Sequence, residues 1–142
     1  MEVRLDGKKA LITGGSEGLG KAMATKFADA GADVAILARR VDVLNAARGE
    51  IDAAGSGKVL SYACDLLDAA ATEDAFAAAE RDLHGVDILV NNAGTSRAGP
   101  FVEISDKDWQ NDFELKLFAA IRLCRLALPK MATRKWGRVI NI

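Results

Sequence analysis

The stretch TGGSEGLG, from Thr13 to Gly20, joins an apolar run, KALIT, to a segment with helical spacing. In that segment Leu19, Met23 and Phe27 are spaced four apart and Gly31 marks the end, as in an amphipathic helix. The first turn of such a helix offers unpaired backbone N–H groups and the positive end of the helix dipole. Because glycine has no side chain, a phosphate can come close to this backbone. We therefore expect a strand, a phosphate-binding turn and a helix.

Short apolar runs and helical patterns alternate along the rest of the chain. The predicted strands are Lys9–Thr13, Asp33–Ala38, Lys58–Cys64, Val86–Val90 and Arg138–Ile142. The helices predicted after the first are Val41–Ala54, Thr72–His84 and a long helix that begins after Ser105 and runs towards Pro129. This alternation predicts βαβ units and a parallel sheet. The crossovers between the parallel strands should be right-handed.

Capping residues and apolar spacing predict where the helices end and which faces they bury. Thr72 and Gly85 are the expected N-cap and C-cap of the third helix, and Ser105 is the N-cap of the long helix. The inward residues are predicted to be Leu44, Ala47 and Ile51 in the second helix, and Phe76 and Leu83 in the third. The apolar residues of the long helix do not fit one stripe: Leu115, Leu117, Phe118, Ile121, Leu123, Leu126 and Leu128. We expect the sheet to cover one side of this helix and another subunit to be a candidate for the other.

Composition excludes several classes of partner. The chain has 142 residues and a formal net charge of −1, so it offers no electrostatic reason to bind nucleic acid or an anionic membrane. It contains neither an apolar run long enough to span a membrane nor a signal-peptide pattern. Cys64 and Cys124 lie far apart without CxxC spacing. We expect two buried thiols, no metal site and a reducing compartment, by default the cytoplasm.

The glycine-rich turn admits two phosphate-binding interpretations, besides that of an ordinary tight turn. From Gly15, GSEGLGKA nearly fits the P-loop pattern GxxxxGK[ST], but Ala22 stands where the Mg²⁺-binding hydroxyl belongs. The other interpretation is a dinucleotide site, with Gly14, Gly18 and Gly20 in the spacing TGxxxGxG. The missing hydroxyl favours the dinucleotide.

The end of the second predicted strand supports that interpretation. NAD sites carry an acidic residue about 20 residues after the glycines, on the ribose 2′-hydroxyl. Here the strand ends in LARR, and Arg39 and Arg40 stand near that place. Arginines suit a 2′-phosphate through charge-assisted hydrogen bonds, although a solvated basic pair is the alternative. We therefore predict NADP rather than NAD.

With TGGSEGLG at the first turn and NNAG at Asn91–Gly94, the chain resembles the short-chain dehydrogenase/reductase family over its whole length. The resemblance implies a Rossmann-like, doubly wound α/β fold with strand order 3-2-1-4-5, truncated after the fifth strand. It also implies that Gly14, Ser16, Glu17, Gly18, Leu19 and Gly20 hold the pyrophosphate side, and Arg39 and Arg40 the 2′-phosphate. It places Asp65 and Leu66 at the adenine, and Asn92, Ala93 and Gly94 along the nicotinamide ribose, whereas Asn91 is expected to brace neighbouring strands. These positions all follow strands, at the edge where open α/β sheets bind ligands.

The family's catalytic residues are not found in these 142 residues. In the family a serine and a YxxxK motif follow the strand that matches GRVINI. Tyr62 is the sole tyrosine and is followed four residues later by Leu66, and His84 is expected to be a solvated helix-end residue. The family's catalytic asparagine falls seven residues after Trp109, which is Lys116 here. An ammonium donates hydrogen bonds but cannot accept them, and a surface lysine is the alternative interpretation of Lys116. We therefore assign no catalytic residue.

The resemblance implies an NADP-dependent oxidoreductase that transfers hydride between the nicotinamide and a small carbonyl or alcohol substrate. Residues 1–142 would form its single cofactor-binding Rossmann domain, incomplete relative to the family, and a homo-oligomer would form through residues 106–128. The segment TSRAGPF, residues 95–101, is expected to border the substrate pocket. A different class of function, a non-catalytic dinucleotide-binding or assembly module, is the alternative.

Overall fold

Parallel strands form one sheet with helices on both faces. The structure, a computed structural model, describes residues 3–95 and 99–142. The strands are β1 (Lys9–Thr13), β2 (Asp33–Ala38), β3 (Val59–Ala63), β4 (Ile88–Asn91) and β5 (Arg138–Asn141). The helices are α1 (Gly18–Asp29), α2 (Val41–Ala54), α3 (Ala69–Leu83), α4 (Asp106–Phe113) and α5 (Ala119–Thr133), with a 3₁₀ turn at Phe101–Glu103 and a π-helical turn at Glu114–Phe118. The strand order is β3-β2-β1-β4-β5, which confirms the predicted doubly wound fold and its topology.

The sheet separates two apolar cores, because successive residues of a strand point to opposite faces. Leu11, Leu37 and Leu89 face one core, with buried residues of α3 and α5. Ile12 and Ile36 face the other, with buried residues of α1 and α2. Both cores hold the backbone of the strands rigidly, so the loops that follow the strands start from fixed positions.

Helix α1 buries a different face from the one that its large apolar residues suggest. Gly20, Ala24 and Ala28 are buried, whereas Leu19 is 56% exposed. Met23 and Phe27 are only partly buried at the edge of the core. Small residues on the inner face leave room for the helix to lie close to the strand and the turn before it. In α2, by contrast, Leu44, Ala47 and Ile51 are buried as predicted.

Helix α3 begins and ends differently from the prediction. Its N-cap is Asp68, whose carboxylate accepts a hydrogen bond from the Ala71 N–H at 3.0 Å. Thr72 lies inside the helix, fully buried, and its hydroxyl donates to the Asp68 carbonyl. At the other end His84, not Gly85, is the cap, with φ of 59°. Both predicted caps were wrong because the sequence offers several capping residue types close together. Phe76 and Leu83 are buried as expected.

The long helix is built from α4, the π-helical turn and α5, and it continues past Pro129 to Thr133. Ser105 caps it as predicted, with its hydroxyl oxygen accepting from the Asp108 N–H at 3.2 Å. One side buries Ala119, Leu123, Ala127 and Met131. The other side exposes Phe113, Leu117, Phe118, Ile121 and Leu128. This exposed set, which we call the outer apolar face, agrees with the prediction of two apolar sides.

Strand β5 forms one edge of the sheet. The sequence WGRVINI has the pattern of a buried strand, but Val139 is only partly buried and Ile140 and Asn141 are exposed. Its backbone pairs with β4 alone within the described residues. No helix in the described part of the chain is long and apolar enough to cross a bilayer.

Candidate functional site

The turn after β1 is held by close backbone contacts. Gly18 has a φ of 53°, and a Cβ built there would meet nothing within 4 Å, so this side of the turn is open. Gly20 lies on the closed side. A Cβ on Gly20 would lie 2.2 Å from the Gly14 carbonyl oxygen and 2.4 Å from Nδ2 of Asn92. Glycine is therefore required at position 20 by packing, and at position 18 it leaves the backbone accessible to a ligand.

Thr13 and Asn92 connect the turn after β1 to the loop after β4. The buried Thr13 hydroxyl donates to the Val90 carbonyl and accepts the N–H groups of Asn92 and Ala93, each at 3.0 Å. The Asn92 amide donates to the carbonyl oxygens of Thr13 and Gly14, at 3.0 and 3.3 Å. The role of Thr13 was missed at the sequence level; its signal is a polar residue that ends an otherwise apolar strand.

A cavity of about 470 Å³ lies at the carboxyl ends of the central strands. It is lined by most of the predicted contact residues: Gly14, Ser16, Glu17, Gly18, Leu19, Arg39, Arg40, Leu66, Asn92, Ala93 and Gly94. Four residues that we did not predict also line it: Leu37, Ala38, Cys64 and Leu115. Thr95, from the segment expected to border the substrate pocket, lines it too. Residues 96–98 of TSRAGPF lie outside the described residues. Of the first four residues of this segment, only Thr95 is described.

Two predicted contact residues do not line this cavity. Gly20 lies behind the turn and supports it. Asp65 is exposed, and its carboxylate accepts the Leu67 N–H at 3.0 Å, which shapes the loop after β3. Both residues therefore act on the cavity through the backbone beside it.

The two arginines after β2 differ in their surroundings. The Arg40 guanidinium forms an ion pair with the Glu17 carboxylate, and both side chains are more than half exposed. Arg39 lines the cavity without an ion pair to any of the described residues. Because no described residue pairs with it, the Arg39 guanidinium is available to a bound anion. The Arg40 guanidinium is already paired with the Glu17 carboxylate.

Comparison with known proteins assigns the family. The family profile described as short chain dehydrogenase matches residues 8–142. The chain belongs to the short-chain dehydrogenase family. This confirms the resemblance carried by TGGSEGLG and NNAG. It also explains why the site lies at the carboxyl edge of a five-stranded parallel sheet.

Relatives of known sequence or structure agree with this assignment. A short chain dehydrogenase of Pseudocercospora fijiensis is 43% identical over 98% of this chain and 45% of its own length. The solved L-sorbose reductase of Gluconobacter frateurii, complexed with NADPH and L-sorbose, is 37% identical with a TM-score of 0.93, over 99% of this chain and 54% of that one. A 7α-hydroxysteroid dehydrogenase complexed with NADH is 35% identical with a TM-score of 0.92, over 99% and 55%. The chain spans about half the length of the curated relatives it matches.

In this short-chain dehydrogenase chain, Lys116 lies on the π-helical turn. Its ammonium is 2.9 Å from the Asp112 carboxylate, and the side chain is 46% exposed. A Cβ on Gly94 would lie 3.5 Å from Cε of Lys116, so the lysine stem runs beside the loop after β4. Lys116 is thus both exposed and adjacent to a residue that lines the cavity.

The sole tyrosine and the sole histidine lie outside the cavity lining. The Tyr62 hydroxyl donates to Oδ2 of Asp82 at 2.8 Å. Burial, together with this hydrogen bond to a carboxylate, raises the pKa of Tyr62 far above that of free tyrosine. His84 is exposed at the end of α3, as predicted.

Asn91 braces β4 against its neighbours. Its amide donates to Oδ1 of Asn141 on β5 at 2.8 Å and contacts Sγ of Cys124 at 3.6 Å. This is the bracing that the sequence predicts.

Cys124 is only partly buried, contrary to the expectation of two buried thiols, because α5 turns it towards the open edge near β5. Cys64 is buried, and burial raises the pKa of its thiol.

Proposed function

We propose that this chain is the NADP-binding part of a short-chain dehydrogenase/reductase that transfers hydride between the cofactor and a carbonyl or alcohol substrate. The observation that carries the proposal is the convergence of the glycine-rich turn and Arg39 and Arg40 on one cavity. Residues 1–142 would form a single cofactor-binding domain, incomplete relative to the family. The NADPH complex of the related L-sorbose reductase supports the choice of cofactor.

The residues present fit a dinucleotide. Gly18 leaves an open backbone at the N-terminus of α1, where N–H groups and the helix dipole favour a pyrophosphate. We assign the pyrophosphate side to Gly14, Ser16, Glu17, Gly18, Leu19 and Gly20, the adenine to Asp65 and Leu66, and the nicotinamide ribose to Asn92, Ala93 and Gly94. In this assignment Gly20, Asp65 and the Asn92 amide act by holding the backbone in place, and Glu17 contributes through its backbone and not through its carboxylate.

When bound, the nicotinamide ring donates or accepts the hydride. This chain's residues bind the cofactor and orient it against the loop after β4. We assign no proton donor among residues 1–142. Tyr62 does not line the cavity, and its hydroxyl is held by Asp82. The substrate itself, a small carbonyl or alcohol compound, is not specified by these residues.

The first prediction concerns the preference between NADP and NAD. A charge-assisted contact contributes roughly 1.5–3 kcal/mol, so NADP should bind at least about tenfold more tightly than NAD. The combined substitutions Arg39→Ala and Arg40→Ala should abolish that preference while leaving NAD affinity nearly unchanged. Titration calorimetry with both cofactors measures this directly.

The control is Arg125→Ala, which removes one of the exposed arginines of α5, outside this cavity, and is matched to each single arginine substitution. It should leave the ratio of the two affinities unchanged. Equal affinities for NADP and NAD in the unsubstituted protein would refute the assignment of the two arginines. Failure of both cofactors to bind would refute the dinucleotide site as a whole.

A non-catalytic dinucleotide-binding or assembly module is the second candidate. The outer apolar face on α4, the π-helical turn and α5 supports it, since such a face suits a homo-oligomer formed through residues 106–128. Hydride transfer from NADPH to a panel of ketones distinguishes the two candidates. We place either one in the cytoplasm, because both cysteines are free thiols.

A further inference from the structure

We propose that Glu17 limits the preference of this site for NADP by holding Arg40 in an ion pair. The carboxylate and the 2′-phosphate would compete for the same guanidinium, and Arg39 would then be the main contact of the 2′-phosphate. The inference rests on the proposed function and adds a specificity-determining residue to it. Glu17 belongs to the glycine-rich turn and Arg40 to the loop after β2, so the pair connects two cofactor-binding segments.

The local structure explains why the Glu17 carboxylate is available to Arg40. Glu17 is the N-cap residue of α1, with φ of −149° and ψ of 167°, yet its side chain makes no capping hydrogen bond. Serine, threonine, aspartate and asparagine cap well because their oxygen lies close to the N2 or N3 amide, and glutamate is longer. The carboxylate instead extends to Arg40, which is itself the N-cap residue of α2 and also makes no side-chain cap.

The chemistry of the three groups makes the contacts competitive. The Glu17 carboxylate and a 2′-phosphate are both anionic acceptors that fit the forked donors of a guanidinium. A phosphate that approaches Arg40 meets the Glu17 charge as well, which opposes its binding. Both side chains of the pair are more than 60% exposed, so the pair is weak and a ligand can displace it. Arg39 forms no ion pair with any of the described residues, although the carboxylates of Asp108 and Asp112 line a neighbouring pocket with it.

The test is Glu17→Gln, which removes the charge and keeps the length of the side chain. NADP affinity should rise about three- to fivefold, the scale of an exposed ion pair, while NAD affinity should change less than about twofold. In an Arg40→Ala background the same substitution should no longer change the ratio of the two affinities. Calorimetric titrations with NADP and NAD on all four proteins measure the effect and its dependence on Arg40.

The control is Asp42→Asn, which removes an exposed carboxylate in the first turn of α2, two residues beyond Arg40 and outside the cavity lining. It makes the same change in net charge and should leave the affinity ratio unchanged. The single arginine substitutions give a second readout. Arg39→Ala should reduce the NADP preference more than Arg40→Ala does, and Arg40→Ala should become more damaging once Glu17→Gln is present.

Four outcomes would overturn the inference. If the gain in NADP affinity persists in the Arg40→Ala background, Glu17 acts as a distant charge and not through the pair. If Glu17→Gln weakens NAD binding severalfold, the carboxylate contacts the cofactor itself. If NADP is preferred and Glu17→Gln leaves the ratio of the two affinities unaltered, this inference fails and the proposed function stands. If neither NADP nor NAD binds, the inference and the proposed function are both refuted.

Discussion

Gly20 determines how closely the first residues of α1 can approach the turn that precedes them. A Cβ at this position would lie 2.2 Å from the Gly14 carbonyl oxygen, well inside contact distance. The same Cβ would press on the Asn92 amide that connects the turn to β4. Any side chain at position 20 must therefore displace either the helix or the hydrogen-bonded loop beyond it.

We predict that Gly20→Ala weakens NADP and NAD binding together, without changing their ratio, because it moves the backbone that both cofactors share. The free energy of unfolding should fall by about 1–3 kcal/mol, as for an overpacked core position. Chemical denaturation and calorimetric titration measure the two effects.

Gly49→Ala is the control for this prediction. Gly49 lies inside α2, and a Cβ there would meet nothing within 4 Å. The substitution should raise stability by roughly 0.5–1 kcal/mol through helix propensity and leave cofactor binding unchanged. Unaltered cofactor affinity in the Gly20→Ala protein would mean that the close contact in the turn does not shape the site.

Among the elements, α3 shows how a helix end is chosen from several capping residues. Asp68 accepts the Ala71 N–H, and the Thr72 hydroxyl returns to the Asp68 carbonyl, so one residue anchors both contacts. The helix then packs Phe76, Ala79 and Leu83 into the core that it shares with α5. The N-cap therefore stabilises the first turn of a helix whose apolar side packs into this core.

We predict that Asp68→Ala lowers the free energy of unfolding by about 1 kcal/mol, through loss of the N-cap. Asp74→Ala, at an exposed position within the same helix, should change it by less than about 0.5 kcal/mol. Denaturant unfolding of the two variants side by side compares them. Equal effects would show that the Asp68 carboxylate does not stabilise the helix end.

The long helix owes its mixed apolar pattern to the π-helical turn at Glu114–Phe118. A π-helical turn places one more residue in a turn than an α-helix does, which rotates the faces on either side of it. The Glu114 carboxylate pairs with Arg122 on α5 at 2.9 Å across this region. The sequence spacing alone cannot show where this rotation occurs.

At the scale of the whole molecule, two apolar surfaces lie near each other. The outer apolar face borders a groove of about 520 Å³ that runs between α5 and the end of β5. Strand β5 offers its free backbone edge beside it, and Ile142 is 66% exposed. Exposed apolar area next to an open strand edge favours association.

We predict that a polypeptide of residues 1–142 associates at micromolar concentration. The combined substitutions Leu117→Lys and Ile121→Lys, in the groove, should shift it towards a species near 15.1 kDa in sedimentation velocity. Val102→Lys, which replaces an 89% exposed residue of the 3₁₀ turn, should not have this effect. A monodisperse, cooperatively folded monomer before any substitution would contradict the prediction.

The sequence by itself determined the strand order, the binding edge and most of the cavity lining. The alternation of strands and helices follows from local periodicity, and parallel strands joined by right-handed crossovers bring their carboxyl ends together. The strand order and most residues of the cavity lining follow instead from the resemblance carried by TGGSEGLG and NNAG. The buried face of α1 was decided by tertiary packing, as was the closeness of Gly20 to Asn92. The pairing of Glu17 with Arg40 belongs to the same group, since the two residues are far apart in sequence and meet only where two loops converge. Such contacts depend on distances between separate elements, and residue spacing along a chain carries no information about those distances until the sheet is assembled.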